Sequence, residues 1–304
     1  MGYTSYQFFL VKTRMAYVAF DLDRTLGFFE VINPLAFLWS KDLLLNPEHG
    51  RVNPNIRISR KLELQLARVR ETFARSILAD PNLFYRIIRP DIEEILTPLR
   101  KPNVLKAAII YSNTGVSYSV ELAKFLIETK YKIPNFFSLV ADNWHPLRTE
   151  DRIDKFTEPK KTIGTLQKLF RRAAHVRKDI PLKNILFVDD RIPKHQLAAQ
   201  EKDGLTYMNI QPYVPSISKK QIDEVLFLAV AALDKNGLLR SSEYLESSFC
   251  NRNIPYDNTK HFGIHGFREL LSFVKESMYD AKDEPINWRK GTPYIKRVMS
   301  EYLS

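Results

Sequence analysis

Two carboxylates one residue apart, Asp21 and Asp23, stand where the apolar run Tyr17-Val18-Ala19-Phe20 ends, and Thr25 and Gly27 follow them. Paired carboxylates can serve as nucleophile, as proton donor and acceptor, and as ligands for a hard cation. A short apolar run closed by turn residues predicts a buried strand. Strands buried on both faces belong to parallel sheets, which collect ligands in the crevice beyond their carboxyl ends. Asp21 and Asp23 are therefore expected side by side at such a crevice. Taken alone, the pair reads equally well as an acidic turn.

Two later runs end in the same fashion. Ala107-Ala108-Ile109-Ile110-Tyr111 leads into Ser112-Asn113-Thr114-Gly115, and Asn184-Ile185-Leu186-Phe187-Val188 into Asp189-Asp190-Arg191. Between them, Pro159-Lys160-Lys161-Thr162 precedes apolar residues at helical spacing, Ile163, Leu166, Leu169 and Phe170. In this order the segments resemble the four motifs of the haloacid dehalogenase (HAD) superfamily: a DxDxT strand end, a Ser/Thr strand end, a lysine and an acidic strand end. The resemblance spans about residues 15–212 and leaves out the C-terminal third.

The resemblance implies a phosphatase. Phosphate monoesters hydrolyse extremely slowly unaided, and a carboxylate nucleophile divides that barrier into two steps. Asp21 would be the nucleophile, forming an aspartyl-phosphate. Asp23 would protonate the leaving oxygen and later take the proton of the attacking water. Ser112 would hydrogen-bond a phosphoryl oxygen, assisted by Asn113 and backbone amides. Lys161, with Lys160 as second choice, would neutralise transition-state charge. Mg²⁺, which prefers oxygen ligands, would sit among Asp21, the backbone carbonyl of Asp23 and the Asp189–Asp190 pair. Asp190 is favoured as a direct ligand, with Asp189 binding directly or through water. Asp23 matters for class: transport ATPases of the superfamily carry Thr there, and dehalogenases lack the second Asp.

A finer resemblance bears on substrate. Arg89-Pro90-Asp91-Ile92-Glu93-Glu94-Ile95-Leu96 looks like the RPG-x-x-x-F-L stretch of the NLI-interacting-factor family, phosphatases of the RNA polymerase II C-terminal tail. Val188-Asp189-Asp190-Arg191-Ile192-Pro193 is similar to that family's acidic pair followed by proline. Arg24 departs from it, since the family usually has Glu there, and the insert before Arg89 is longer than it needs. The leading expectation is a protein phosphoserine/phosphothreonine phosphatase acting on an acidic phosphoprotein. A small-molecule, nucleotide or polynucleotide-end phosphatase is the alternative, and a catalytically silent HAD-fold binding module is the reading from another class.

The alternation of strand and helix around these residues predicts an α/β protein. The expected fold is Rossmann-like, an open parallel sheet with helices on both faces. Residues 1–215 are expected to form the phosphatase core, with a flap and helical insert at about 28–88, and 216–304 a helical C-terminal appendage. Within the insert, Phe28, Phe29, Phe37 and Trp39 either line a substrate pocket or pack beneath a loop. Helices are expected over 58–78, from Arg89 to about Arg100 with Asp91 as its cap, over 116–130, and after the Thr162 cap. Asp80-Pro81-Asn82 should break the first of these. Ser218 and Gln221 form a capping box for a helix that Asn236-Gly237 ends, and Phe267 to Met278 is helical. Tyr6 to Val11 reads as an extra strand. His261 and His265 have the i, i+4 spacing of metal ligands, but Gly263 between them speaks against that role.

The chain of 304 residues carries 46 Lys and Arg against 35 Asp and Glu, a net charge of +11. Such a balance suits an acidic partner, a phosphorylated peptide or nucleic acid. One cysteine, Cys250, excludes an intramolecular disulfide and a thiolate zinc cluster. No apolar stretch approaches a membrane span. Tyr6 departs from a myristoylation signal. An intracellular protein, cytoplasmic or nuclear, with no membrane partner is the expectation.

Overall fold

The computed structural model describes residues 16–39, 45–46, 51–52, 58–151, 161–191, 204–246, 264–281 and 284–304. In chain order the described strands are β1 (Ala16–Phe20), the short antiparallel pair β2 (Leu45–Asn46) and β3 (Arg51–Val52), then β4 (Leu105–Tyr111), β5 (Phe137–Ala141), β6 (Ile185–Asp189) and β7 (Thr206–Asn209). Apart from β2 and β3 they form one parallel sheet in the order β5-β4-β1-β6-β7. The chain runs outward one way through β4 and β5, then returns to the other side of β1 for β6 and β7. The topological switch point, where open α/β sheets bind ligands, thus falls between β1 and β6.

Alternation along the strands explains why the sheet is covered twice. Val18, Phe20, Ala108, Ile110, Leu186 and Val188 face one buried cluster. Ala19, Ala107, Ile109, Tyr111, Ile185 and Phe187 face the other. Parallel strands buried on both sides have no polar face, which is why these runs read as continuously apolar.

The helices are α1 (Ala36–Trp39), α2 (Arg60–Ala79), α3 (Pro81–Ile87), α4 (Glu93–Leu99), α5 (Ser117–Lys130), α6 (Ile163–Ala173), α7 (Lys219–Lys235), α8 (Ser242–Glu246), α9 (Ile264–Asp280) and α10 (Thr292–Leu303). Helix α6 packs on the second face, whereas the buried side chains of α2 to α5, α7, α9 and α10 share the first. The predicted open α/β architecture with helices on both faces is therefore present, with an insert between β1 and β4.

Local departures from expectation have identifiable causes. Asp80 ends α2 but starts α3, its carboxylate accepting from the N–H groups of Asn82 (2.8 Å) and Leu83 (3.3 Å). Pro81 occupies the first helical turn, where its missing N–H costs nothing. Asp91 is not a cap: a 3₁₀ turn, Pro90–Ile92, leads into α4 and makes no side-chain cap, because Asp91 is taken by Arg89. Phe28, Phe29 and Trp39 are fully buried, and Phe37 packs against the same core, so these aromatics support the insert instead of lining a pocket. The capping box of Ser218 and Gln221 and the Gly237 stop are present as expected. Residues 6–11, Cys250 and His261 fall outside the described residues, as do Ile192 and Pro193; the side chain of His265 does too.

Helix α7 packs along α2, α9 against α7 and α1, and α10 against α4 and β7. Ile222, Val225, Leu270, Val274, Ile295 and Met299 join the same buried cluster as the sheet. The C-terminal helices are packed onto the α/β layer.

Candidate active site

Asp21 continues the ladder just beyond β1, its N–H donating to the carbonyl of Val188 at 2.9 Å. The chain then turns tightly. Leu26 N–H reaches Leu22 O (2.9 Å), Arg24 N–H reaches Gly27 O (2.6 Å), and Arg24 takes the left-handed region at φ 60°. This loop leans on the backbone of α3, where a Cβ on Gly27 would lie 2.0 Å from Ile87 O. Only glycine permits that approach. The turn brings Thr25 across to β6, where its hydroxyl lies 3.0 Å from Asp190 Oδ1.

Arg89 fixes the same loop from beneath. Its guanidinium is fully buried and forked onto Asp91, with Nε–Oδ1 at 2.6 Å and Nη2–Oδ2 at 3.3 Å. Nη1 donates to the carbonyls of Thr25 and Gln211, both at 3.2 Å. The stretch that resembled a substrate-family signature therefore acts as an internal tie between the β1 loop and the segment after β7.

Lys161 enters from the start of α6. Its Nζ lies 2.7 Å from Asp21 Oδ1 and 3.5 Å from Asp189 Oδ2, and 5.2 Å from the centre of the Phe187 ring. Two bonds locate it. The hydroxyl of Thr162 caps α6 by accepting from Thr165 N–H (3.2 Å), and Thr162 N–H donates to the Tyr111 hydroxyl (3.1 Å). Lys160 lies outside the described residues.

Carboxylate oxygens of Asp21, Asp189 and Asp190 come within 4.8 Å of one another. Their electrostatics are unfavourable without a cation. Burial, then Asp21 and Asp189, push the Asp190 carboxyl up from 3.8 to about 7, against the lowering hydrogen bond from Thr25. Burial also raises Asp21, opposed by Lys161 and aided by Asp189. Asp23 is raised well above the usual carboxylate range by burial, then by Glu30, Asp21 and Asp190. Its Oδ1 is buried without a hydrogen-bond partner. Clustered hard oxygens whose charges oppose one another, beside an unsatisfied buried oxygen, fit a small divalent cation. Asp21, Asp189 and Asp190 supply that cluster; the side chain of Asp23 does not join it.

Strand β4 carries the remaining predicted residues. Its register sets Ile110 against Phe20, so Ser112 leaves its strand close to the level where Asp21 leaves β1. Ser112 is buried, its N–H donates to Ala141 O (2.9 Å), and its Oγ accepts from Thr114 N–H (3.1 Å), which leaves the hydroxyl proton to donate. Asn113 beside it is half-buried. Beneath this loop lies Arg148, fully buried, with Nη2 2.6 Å from Asn113 Oδ1 and Nη1 donating to the carbonyls of Ser112 and of Asp142. Arg148 follows the third strand of the sheet in an unpatterned turn, and nothing in its sequence neighbourhood marks it. Glu30, which raises Asp23 and receives the Arg24 guanidinium at 2.8 Å, was equally silent.

The arrangement is thus a parallel α/β sheet with a buried carboxylate–lysine centre at its switch point. No family model matches the chain, and no curated protein does. Among solved structures it is similar to a HAD-superfamily hydrolase, subfamily IA, variant 1, from Geobacter sulfurreducens, at 18% identity over 67% of this chain and 90% of that one. The TM-score is 0.32, and so loose a superposition leaves the functional reading to the residues themselves.

Proposed function

We propose that this protein is a Mg²⁺-dependent phosphomonoester hydrolase of the HAD type that works through phosphorylated Asp21. The observation that carries the reading is the meeting of Asp21, Lys161, Asp189 and Asp190 at the switch point, from three separate stretches of chain. An oxygen of Asp21 attacks phosphorus, and the bond from phosphorus to the leaving oxygen breaks. Asp23, whose carboxyl burial and acidic neighbours push well above the usual range, donates its proton to that oxygen. Water then attacks the aspartyl-phosphate, gives its proton to Asp23, and inorganic phosphate departs with Asp21 restored. Lys161 holds Asp21 in place before substrate arrives and balances phosphoryl charge afterwards. Ser112 donates to a phosphoryl oxygen. A divalent cation held by Asp21, Asp189 and Asp190 would supply the positive charge that lets two anions meet.

For substrate, the proposal is phosphoserine or phosphothreonine in a protein. The insert helix α2 packs beside α5 and α7. The charge of +11 suits an acidic substrate such as a phosphoprotein. A second reading, a small phosphate ester, has one observation in its favour. A cavity of about 450 Å³ opens beside Asp190, with Asn209, Gln211 and Tyr294 in its wall. Its volume would hold a sugar or nucleoside.

The test is hydrolysis of p-nitrophenyl phosphate with and without Mg²⁺, beside Asp21→Asn. Metal-dependent turnover lost in the variant is expected. Turnover that survives Asp21→Asn rules out the aspartyl-phosphate. A panel of phosphopeptides and small esters then decides the substrate, and a higher kcat/KM on a sugar or nucleotide phosphate would replace the protein reading by the second.

A further inference from the structure

Asn113 faces a donor that cannot be anything else. Arg148 has five N–H donors and no acceptor, so the amide oxygen of Asn113 must be the atom 2.6 Å from Nη2. The amide is therefore locked in one of its two flips. Its two N–H donors lie on the other side, away from the guanidinium, on a residue that adjoins Ser112. Unlocked, a half-buried asparagine could as easily turn its acceptor oxygen toward an incoming anion.

The same guanidinium reaches further. It binds the carbonyls of Ser112 and Asp142, the residues that directly follow β4 and β5. It also lies over the Tyr111 ring, 4.7 Å from its centre. The Tyr111 hydroxyl in turn receives Thr162 N–H, one residue after Lys161. One buried cation thus touches the serine loop directly and the lysine element through a single aromatic ring. A planar fork suits this work, since it can meet several acceptors at fixed angles, and lysine cannot replace it.

We infer that Arg148 is a positioning residue for phosphate binding: it fixes the Asn113 amide with its donors toward the phosphoryl group and sets the Ser112 loop against Lys161. The inference rests on the phosphatase reading above, and it assigns to Asn113 a donor whose direction Arg148 imposes.

Four variants test it: Asn113→Asp, Asn113→Ala, Arg148→Lys, and Arg148→Lys combined with Asn113→Ala. The readouts are inhibition by inorganic phosphate of the Mg²⁺-loaded protein and the thermal midpoint. Asn113→Asp keeps an oxygen on Arg148 and gains a charge partner for it, so its midpoint should equal or exceed that of the wild type. The second oxygen replaces the donors, so the phosphate inhibition constant should rise at least tenfold. The charge that Asp brings repels phosphate in any case, so Asn113→Ala, which removes the donors and adds no charge, separates the readings: a purely structural Asn113 leaves its phosphate inhibition constant unchanged while its midpoint falls. Arg148→Lys should also raise the inhibition constant about tenfold, and adding Asn113→Ala should change it by less than threefold, since the amide is no longer aimed. Wild-type phosphate binding in Asn113→Ala, or full additivity in the double variant, overturns the inference. If Arg148→Lys does not fold, Asn113→Ala decides, with Asn113→Asp showing by its midpoint that the oxygen on Arg148 is kept. A wild type that turns over phosphate esters while the variants match it sinks this inference only; a wild type with neither turnover nor phosphate binding sinks the phosphatase reading with it.

Discussion

Asp190→Asn should make the cation-free protein more stable. Burial and the charges of Asp21 and Asp189 lift the Asp190 carboxyl from 3.8 to about 7. Between those values the folded chain holds a proton that the unfolded chain has released, so stability falls as pH rises through that window. At about 1.4 kcal/mol for each pH unit of the gap, the full loss by pH 8 is roughly 4 kcal/mol. An asparagine does not ionise, and its amide oxygen can still accept the Thr25 hydroxyl that reaches Asp190 at 3.0 Å. With partial relaxation of the site, a gain of roughly 2–4 kcal/mol remains, which in a chain this long raises the midpoint by about 2 °C per kcal/mol. Differential scanning calorimetry in chelator should therefore place the variant roughly 4–8 °C above the wild type at pH 8, with the gap closing toward pH 4. Millimolar Mg²⁺ should close most or all of that gap, because binding at a hundred times Kd adds about 2.7 kcal/mol to the wild type and little to the variant. A variant no more stable than the wild type at pH 8, joined to a wild type indifferent to Mg²⁺, would refute the reading of the three aspartates as a strained cation site.

Asp23→Asn should cost about 10²–10⁴ in kcat on an alkyl phosphate, which needs a proton on its leaving oxygen, and far less on p-nitrophenyl phosphate, whose phenolate leaves without one. Equal losses on both esters would remove Asp23 from the acid role. Gly27→Ala should lower stability by roughly 1–3 kcal/mol and reduce kcat, since its Cβ would lie 2.0 Å from Ile87 O and the Asp21 loop must lift to make room. Denaturant titration beside the p-nitrophenyl phosphate assay checks both effects, and a silent substitution would mean that the loop is not held against α3.

What could be read from the chain, and what could not, divides along physical lines. The strands that Asp21 and Ser112 follow and that Asp189 ends were legible because a strand buried on both faces has no polar alternation, and the carboxyl end is where the polar residues resume. The Thr162 cap was legible because side-chain capping is local, a bond spanning three residues. Arg148 was invisible because its partners Ser112 and Asn113 are 36 and 35 residues away in sequence, and a lone arginine in a turn carries no pattern. Asp91 was read as a cap for the same reason in reverse: its sequence position fits a helix start, but a guanidinium at 2.6 Å binds a buried carboxylate more strongly than backbone N–H groups do. The aromatics after β1 could be placed either in a pocket or in the core by sequence, and only the packing of Trp39 on Phe73 and Tyr118 decides for the core.

The C-terminal helices bear on chemistry through one chain of contacts. The Thr292 hydroxyl, at the start of α10, lies 3.0 Å from Asp91 Oδ2. Asp91 holds Arg89, Arg89 holds the carbonyl of Thr25, and Thr25 holds Asp190. Helix α10 is itself anchored by Ile295, Met299 and Tyr302, each nearly or fully buried, and by the Tyr302 hydroxyl 2.5 Å from Asn184 O, immediately before β6. Burial of three such side chains contributes about 1.5–3 kcal/mol apiece. Their combined loss is comparable to the whole stability of an ordinary domain. A chain ending at Pro285 should therefore lose its cooperative thermal transition and its Mg²⁺-dependent turnover together. An appendage docked independently of the core would leave both intact in the truncated chain, and that result would break the proposed link from Thr292 to Asp190.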